Sequence, residues 1–270
     1  MERRWNIVAH VVLTIFSLII LLPILWTVRT SFAPEGIAYQ IPPPLLFTPT
    51  LSNYSRILVE NNFALYFRNS FVVALSSTLI SVPIASFAGY AFARYKTGGN
   101  KLRFLLVSNQ MLPPVVLMIP LFIIFMKLHL VNTISGLIVS YLAFNLPFLI
   151  LILIGSFEGI PKELEEAALI DGASRVTAFL RVIFPIAAPG VMAAAVFSFI
   201  LCWNEFLFAL VLTGANSATI PVGLAALQTQ RGVLIGKVGA GVVMAVAPVV
   251  ILGFLIQKYL VKGLSFGAIK

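Results

Sequence analysis

Residues 159–190 read GIPKELEEAALIDGASRVTAFLRVIFPIAAPG, from Gly159 to Gly190, and this stretch is the most charged part of an otherwise apolar chain. The protein has nine acidic residues, and five of them fall in or immediately before this stretch: Glu158, Glu163, Glu165, Glu166 and Asp171. Carboxylates are costly in hydrocarbon, so this segment is expected to lie outside the bilayer. The rest of the chain is interpreted around it.

The composition is that of an integral membrane protein. Of 270 residues 60% are hydrophobic and 10% are charged, and the mean hydropathy is +1.04, which is outside the range of soluble domains. The net charge of +9 does not indicate nucleic-acid binding, because the basic residues occur singly or in pairs between apolar runs. Cys202 is the only cysteine, which excludes an internal disulfide and a thiolate metal cluster, and no metal site is expected.

Six apolar runs are long enough to cross a bilayer. A hydrocarbon core about 30 Å thick needs about 20 helical residues. The runs cover residues 7–28, 69–92, 104–126, 134–157, 191–212 and 238–259. Prolines within or near them are expected to kink the helices and not to end them: Pro23, Pro83, Pro113, Pro114, Pro120, Pro147 and Pro248. The sequence therefore predicts an all-α polytopic membrane protein with six transmembrane helices.

The distribution of lysine and arginine predicts the orientation. With the N-terminus inside, the inner connections hold twelve of these residues and the outer ones hold six, as the positive-inside rule requires. Both termini and residues 159–190, between the fourth and fifth spans, are therefore predicted to be cytoplasmic. The first span is expected to be a retained signal anchor, because no small-residue cleavage site follows it.

The connection over residues 29–68 is long, rich in proline and predicted to lie outside. Loops of this length often have a function, so this one is either a surface for an external partner or a solvated spacer. No soluble domain is visible, and residues 1–270 are predicted to form a single transmembrane domain, so any soluble partner domain must belong to another chain.

Local signals predict two short helices in the charged stretch. Pro161 suits a first helical turn, the glutamates after it suit the positive end of the helix dipole, and Gly172 suits the residue that follows a helix end. The first helix is predicted over residues 161–170. Ser174 is predicted to cap a second helix over residues 175–184, which Pro185 interrupts and Pro189 separates from the fifth span.

This loop has the chemistry of a docking surface. Small residues flanked by carboxylates form a protrusion that fits a groove with arginines at its rim. The alternatives are that the glutamates are simply a solvated acidic turn and that Asp171 serves the N-terminus of the second helix.

The loop resembles the EAA signature of permeases from binding-protein-dependent ABC importers. The matching residues are Glu166, Ala167, Ala168, Gly172, Phe179, Ile183, Pro185 and Pro189. The string EAALIDGA over residues 166–173 is similar to the carbohydrate-uptake branch. WNEFLFA over residues 203–209 and the ending VKGLSFGAIK resemble maltose-type permeases without a large periplasmic domain, although Phe266 and Ile269 depart from the usual tail.

The resemblance implies a coupling helix that enters a cleft on a separate ATPase subunit. The residues implied in this contact are Glu163, Glu166, Ala167, Ala168, Asp171 and Gly172, and the tail over residues 262–270 is implied to reach the ATPase through Lys262, Gly263, Gly267 and Lys270. The implied partners are a second permease subunit, two ATPase subunits and an extracytoplasmic solute-binding protein, in a bacterial or archaeal inner membrane. The chain is implied to be no enzyme, with ATP and Mg²⁺ on the partner ATPases and no cofactor of its own.

The sequence itself agrees that ATP binds elsewhere. A phosphate-binding loop needs two glycines with four residues between them, then lysine and a hydroxyl residue. The nearest run, residues 232–238, is one residue short and ends in valine.

Polar residues within the spans are candidates for the translocation path. Glu205 is the only acidic residue in a predicted span, and such a residue is a functional hypothesis. The candidates are Trp203, Asn204, Glu205, Asn109 and Asn145. The alternative for Glu205 is a structural partner on another helix, and hydrogen bonding between helices is favoured for the asparagines. Gly236, Gly239 and Gly241 are expected to form a close helix-packing surface.

The function favoured by these features is a permease subunit of an ABC sugar importer, forming half of the path for a sugar or sugar-like solute. The alternative is a secondary transporter driven by an ion gradient, which would require paired intramembrane carboxylates or repeated broken helices. The sequence leaves sugars, polyols and glycerol phosphates open as solutes.

Overall fold

The computed structural model describes residues 2–229 and 232–265, and almost all of its secondary structure is helical. The first half contains α1 (Glu2–Ser31), α2 (Glu35–Ala38), α3 (Ser52–Glu60), α4 (Phe63–Tyr95), α5 (Gly99–Met111), α6 (Pro114–Lys127) and α7 (Ile134–Glu158). The second half contains α8 (Glu163–Ile170), α9 (Arg175–Ala178), a π-helical turn (Phe179–Ile183), α10 (Phe184–Trp203), α11 (Leu207–Leu212), α12 (Ile220–Ala225) and α13 (Ile235–Ser265). Two-residue strands β1 (Gln228–Thr229) and β2 (Gly232–Val233) pair antiparallel before α13.

Within the described residues, five helices are long and apolar enough to cross a membrane, and α5 with α6 makes a sixth if this pair, bent by 95°, counts as one span. The all-α polytopic prediction is thus confirmed. The expectation that Pro113 and Pro114 only kink the third span is wrong, because α5 ends at Met111 and α6 begins at Pro114. Leu112 is extended (φ −70°, ψ 125°), since a proline disfavours helical geometry in the residue before it.

The predicted boundaries of the fifth span are also wrong. Helical structure runs without a break from Arg175 to Trp203, so Pro185 and Pro189 do not separate a second loop helix from the span. The π-helical turn explains this, because the N–H of Phe184 bonds the carbonyl of Phe179, and Pro185 then falls in the first turn of α10, where it need not donate. At the other end the helix stops at Trp203, and Leu207–Leu212 forms the separate helix α11.

The chain divides into two compact units, residues 66–222 with 249–270, and residues 1–65 with 223–248. In the first of these, α4, α7, the π-helical turn and α10 share one apolar core that includes Ala85, Leu153, Phe157, Phe179 and Ala187. Helices α4 and α7 approach closely at Gly89, where an added Cβ would lie 3.0 Å from the Cβ of Leu153. The prediction of one transmembrane domain over residues 1–270 stays a prediction.

In the other unit, glycines at the start of α13 pack against α1 and α3. A Cβ at Gly236 would lie 2.6 Å from the Asn53 amide, and one at Gly239 would lie 3.2 Å from the backbone nitrogen of Ser31. A Cβ at Gly241 would likewise lie 2.9 Å from the Cδ1 of Ile57. The predicted close packing surface of these glycines is therefore confirmed.

A chain of charged residues links α2 and α3 of this unit to α13. Arg56 contacts Glu35 at 2.7 Å and Glu60 at 3.3 Å, and Glu60 in turn pairs with Lys237. Through a hydrogen bond, the Lys237 ammonium holds the pKa of Glu60 below its ordinary value. The two carboxylates, Glu35 first, raise the pKa of Arg56. Residues 29–68 are thus partly folded, containing α2, α3 and this network.

Candidate functional site

Helix α8 ends at the predicted glycine but begins at Glu163, two residues after the predicted start, so Pro161 lies just outside the helix and not in its first turn. The backbone N–H groups of Glu165 and Glu166 bond the carbonyl of Lys162, at 2.9 and 3.0 Å. At the other end Gly172 has a φ of +86°, and the N–H of Ala173 reaches back to the carbonyl of Ala168 at 3.0 Å. This is the glycine-terminated helix end that residues in the left-handed region permit.

The predicted N-terminal cap of the second helix is also present. The Ser174 hydroxyl accepts a hydrogen bond from the backbone N–H of Thr177 at 3.2 Å, which starts α9. Asp171, the other residue considered for this role, is exposed at the end of α8. The turn between the two helices is therefore specified by Gly172 and Ser174.

Glu165 fastens the inner face of α8 to the end of α4. Its Oε2 lies 2.9 Å from the Nε of Arg94, and the two side chains are only 8% and 4% exposed. Its Oε1 accepts hydrogen bonds from Tyr90 at 2.5 Å and Tyr95 at 3.0 Å. Removing one partner of a buried ion pair costs about 3–5 kcal/mol, so this contact strongly restrains α8.

The opposite face of α8 is open. Glu163, Glu166 and Ala167 are exposed, and Ile170 is 85% exposed. At 100° per residue these side chains cluster on the side of the helix away from Glu165. The structure therefore brings Glu163, Glu166, Ala167, Asp171 and Gly172 together at one exposed surface, while Ala168 is half-buried.

Sequence reasoning placed Glu165 in the acidic run but assigned it no role, and it counted Arg94 only as membrane-flanking charge. One signal was available, since at about 100° per residue Glu165 lies about 160° around the helix from Glu163 and about 100° from Glu166. Its partner could not be identified, because 71 residues separate it from Arg94 and nothing local joins them.

A second polar group lies inside the same unit, where three helices meet. The Asn145 amide on α7 donates to Ser198 on α10 at 2.5 Å and to Ser81 on α4 at 3.2 Å. Ser198 also contacts Thr78 at 3.1 Å. Asn145 is fully buried. Its contacts are the hydrogen bonds between helices that the sequence favoured for this residue.

Two of the predicted path residues, Asn109 and Glu205, line a cavity of about 380 Å³. Its other polar contributors are Gln110 and Ser140, and Phe144 and Phe208 are among the apolar ones. The Glu205 carboxylate accepts hydrogen bonds from the backbone N–H groups of Phe208 at 2.9 Å and Ala209 at 3.1 Å. Glu205 therefore stabilises the first turn of α11 while it faces the cavity.

The remaining predicted residues lie elsewhere. Trp203 is 2% exposed and stacks on Phe199, with ring centroids 5.7 Å apart. The Asn204 amide donates to the carbonyl of Ile200 at 2.9 Å. Of the predicted tail contacts, Lys262 and Gly263 fall in the last part of α13, and Gly267 and Lys270 lie outside the described residues.

The geometry is that of a multi-pass membrane transport subunit with an exposed loop that is restrained from its inner side. A family model described as the binding-protein-dependent transport system inner membrane component matches residues 81–266, and the chain belongs to this family. It is therefore a transport component and not an enzyme, as the resemblance implied.

Known permeases and a solved transporter are similar to this chain over almost all of its length. The trehalose/maltose transport system permease protein MalG of Thermococcus litoralis is 39% identical, covering 95% of this chain and 94% of that protein. The trehalose transport system permease protein SugB of Mycobacterium tuberculosis is 37% identical, covering 93% and 92%. A chain from the crystal structure of a bacterial ABC transporter that imports the acidic polysaccharide alginate is 27% identical and superposes with a TM-score of 0.73, covering 96% of this chain and 97% of that one.

Proposed function

We propose that this chain is one of two permease subunits of an ABC importer for a sugar or sugar-like solute. The family provides the transport class, and the solute class is carried over from relatives whose names specify trehalose or maltose and from the alginate importer. This assignment is favoured over the ion-gradient-driven transporter, because the family is defined by dependence on a binding protein.

The loop over residues 159–190 is the site where a separate ATPase subunit acts on this chain. The observation that carries this proposal is the two-sidedness of α8, since Glu165 is buried against Arg94 while Glu163, Glu166 and Ile170 are exposed. A helix held on one side and open on the other can transmit force from a partner groove. The exposed carboxylates suit a groove with basic residues at its rim, and Ile170 suits an apolar floor.

The assembly around this chain comprises a second permease subunit, two ATPase subunits and an external solute-binding protein. The loop and both termini face the cytoplasm in this arrangement, as the lysine and arginine distribution predicts. ATP and Mg²⁺ bind to the ATPase subunits, and the tail over residues 262–270 contacts them. Every side chain of α1 from Asn6 to Trp26 is exposed in the single chain, so lipid or the second permease covers this helix.

The cavity that holds Asn109 and Glu205 is the best candidate for a part of the path. Its amide, hydroxyl and carboxylate groups can hydrogen-bond sugar hydroxyls, and Phe144 and Phe208 offer apolar faces for a sugar ring. Trp203 and Asn145 are buried within the subunit, and the contacts of both residues favour a structural role.

A charge reversal on the exposed face of α8 tests the coupling role. The intact complex is purified with Glu166→Arg, and binding of the ATPase subunits and uptake of labelled maltose and trehalose are measured. We expect uptake to fall at least about tenfold with normal insertion, because a close like-charge contact costs several kcal/mol. Normal uptake or undiminished ATPase coupling in a well-expressed variant would contradict the proposal.

The matched control is Glu158→Arg, which reverses the charge of an exposed carboxylate just before the loop. Glu158 lies 3.6 Å from Arg103 and both are about half exposed, so little stability depends on the pair. This variant is expected to keep full ATPase binding. If neither sugar is carried, ATPase binding alone gives the comparison, and the ligand that co-purifies with the solute-binding protein identifies the solute. Uptake by the reconstituted chain alone would instead support the ion-gradient alternative.

A further inference from the structure

We infer that Glu165, with Arg94 and the two tyrosines beside it, is a positioning group that makes α8 and α4 move as one body, so that displacement of the loop reaches this span directly. The inference rests on the coupling role proposed above and extends it to a residue on the face of α8 that no partner chain can touch.

The first argument is convergence. Three side chains from the last two turns of α4, those of Tyr90, Arg94 and Tyr95, meet on the single carboxylate of Glu165. An isolated hydrogen bond would let the two helices pivot about one point. Contacts to both carboxylate oxygens from three directions fix orientation as well as distance.

The second argument concerns the backbone connections of α8, which are poorly suited to carry force. The chain has Gly159 shortly before the helix and Gly172, with its positive φ, shortly after it. Short connections of this kind can change their torsion angles when a helix is displaced. The side-chain contact with α4 is therefore a stiffer route than either connection.

The third argument is the connection beyond the ion pair. The Tyr90 ring packs on Phe179 of the π-helical turn and on Phe157 of α7, with centroids 4.7 and 6.0 Å away. Tyr90, which binds Glu165, thus also packs against α7 and the π-helical turn, the two helical segments on either side of the loop helix α8. A movement of α8 is shared among α4, α7 and α10 at this one place.

The fourth argument is the cost of opening the contact. Arg94 is 4% exposed, and its Nε and Nη2 atoms are buried without a hydrogen-bond partner among the described residues, so its 2.9 Å contact with Glu165 is an ion pair and not an aligned hydrogen bond. Without the Glu165 charge this guanidinium would be buried and uncompensated, which proteins rarely tolerate. Separation of Glu165 from Arg94 is therefore costly, which keeps α8 attached to α4.

Distance measurements on the intact importer complex test the link without knowledge of the solute. Spin labels are attached at Leu164→Cys, an exposed residue of α8 outside the proposed ATPase contact, and at Thr97→Cys just after α4, in a Cys202→Ala background. Distances are recorded without nucleotide and with ATP and vanadate. With Glu165 present the two distributions should agree within about 2 Å, since a rigid link permits only small shifts.

Glu165→Gln keeps the shape of the side chain and removes its charge. In this variant we expect the ATP-vanadate distribution to shift or broaden by about 5 Å, one helical turn, while the ATPase subunits remain bound. The exchanged pair Glu165→Arg with Arg94→Glu should restore the narrow distribution. The matched control Arg103→Gln, which removes an exposed ion pair, should leave it unchanged.

An unchanged distribution in Glu165→Gln would overturn the inference, because a purely structural role alters yield but not the response to nucleotide. If Glu165→Gln does not insert, Tyr90→Phe with Tyr95→Phe removes the two hydrogen bonds and keeps the ion pair, and it must still broaden the distribution. Failure of the proposed coupling role would look different, since the ATPase subunits would then neither co-purify with the unaltered chain nor protect an Ile170→Cys thiol from a soluble thiol reagent.

Discussion

Replacing Asn145 should destabilise the chain by an amount that depends on Ser198. The side chain is fully buried, and its amide nitrogen contacts Ser198 at 2.5 Å, Ser81 at 3.2 Å and the Cys202 sulfur at 3.5 Å, whereas its amide oxygen has no hydrogen-bond partner among the described residues. Hydrogen bonds between transmembrane helices contribute about 0.6 kcal/mol on average and about 1.7 kcal/mol at most. Two such bonds predict that Asn145→Ala lowers the free energy of unfolding by about 1–3 kcal/mol.

The assay is a double-mutant cycle with Asn145→Ala and Ser198→Ala. Unfolding by denaturant in detergent micelles is followed by tryptophan fluorescence, to which Trp203, packed on Phe199 beside this cluster, contributes. Since the two side chains are in direct contact, we expect a coupling energy of about 0.6–1.7 kcal/mol. Asn109→Ala, at an exposed residue of α5, is the matched control and should change stability by less than about 0.5 kcal/mol.

Additive effects of Asn145→Ala and Ser198→Ala, within about 0.3 kcal/mol, would refute the reasoning. The same conclusion would follow if Asn109→Ala were as destabilising as Asn145→Ala. Either result would mean that the close approach of α4, α7 and α10 depends on apolar packing and not on this polar cluster.

Two further predictions concern other parts of the chain. Because Lys237 lowers the pKa of Glu60, the stabilisation from this pair is present at neutral pH and is lost as the pH falls below the ordinary value of 4.5. Glu60→Gln should therefore reduce the decrease in melting temperature between about pH 6 and about pH 3. An equally steep decrease in the variant would contradict this. Gly136→Ala should lower stability by about 1–3 kcal/mol in the same denaturant assay, because its Cβ would lie 2.1 Å from the carbonyl oxygen of Leu130, whereas Gly155→Ala, with no described atom within 4 Å of its Cβ, should not; equal values for the two would contradict the steric argument.

Structural features that are specified by residues close together in the sequence were predictable. Apolar runs of about 20 residues predicted the spans. Gly172 and Ser174 predicted the end of α8 and the start of α9, and Pro161 predicted the start of α8 to within two residues, because helix starts and ends depend on residues within one turn of each other. The exposed surface of the candidate site could be recognised for the same reason.

Features that depend on distant residues were not predictable in this way. Glu165 and Arg94 form their pair only after α4 and α8 have packed, and periodicity does not report such a pairing. The effect of a proline on a helix also depends on distant residues. Pro113 ends a helix and Pro185 does not, because the π-helical turn before Pro185 lets its missing N–H fall in the first turn of a helical segment. Phe179 and Ile183 of that turn are buried in the core, and their burial there depends on residues that are distant in sequence.

The length of the helix from Arg175 to Trp203 has a consequence for how the loop meets the aqueous phase. Its 29 residues extend about 43 Å at 1.5 Å per residue, whereas the hydrocarbon layer is about 30 Å thick. Without tilt the helix is about 13 Å longer than this layer is thick, and the difference exceeds the lipid headgroup layer, about 5–8 Å on each side. Arg175 and Arg181 are the charged residues of this helix, so we expect the part outside the hydrocarbon to be its first turns, which follow α8 in the chain. With the surplus at that end, a water-soluble protein can reach α8 without displacing lipid.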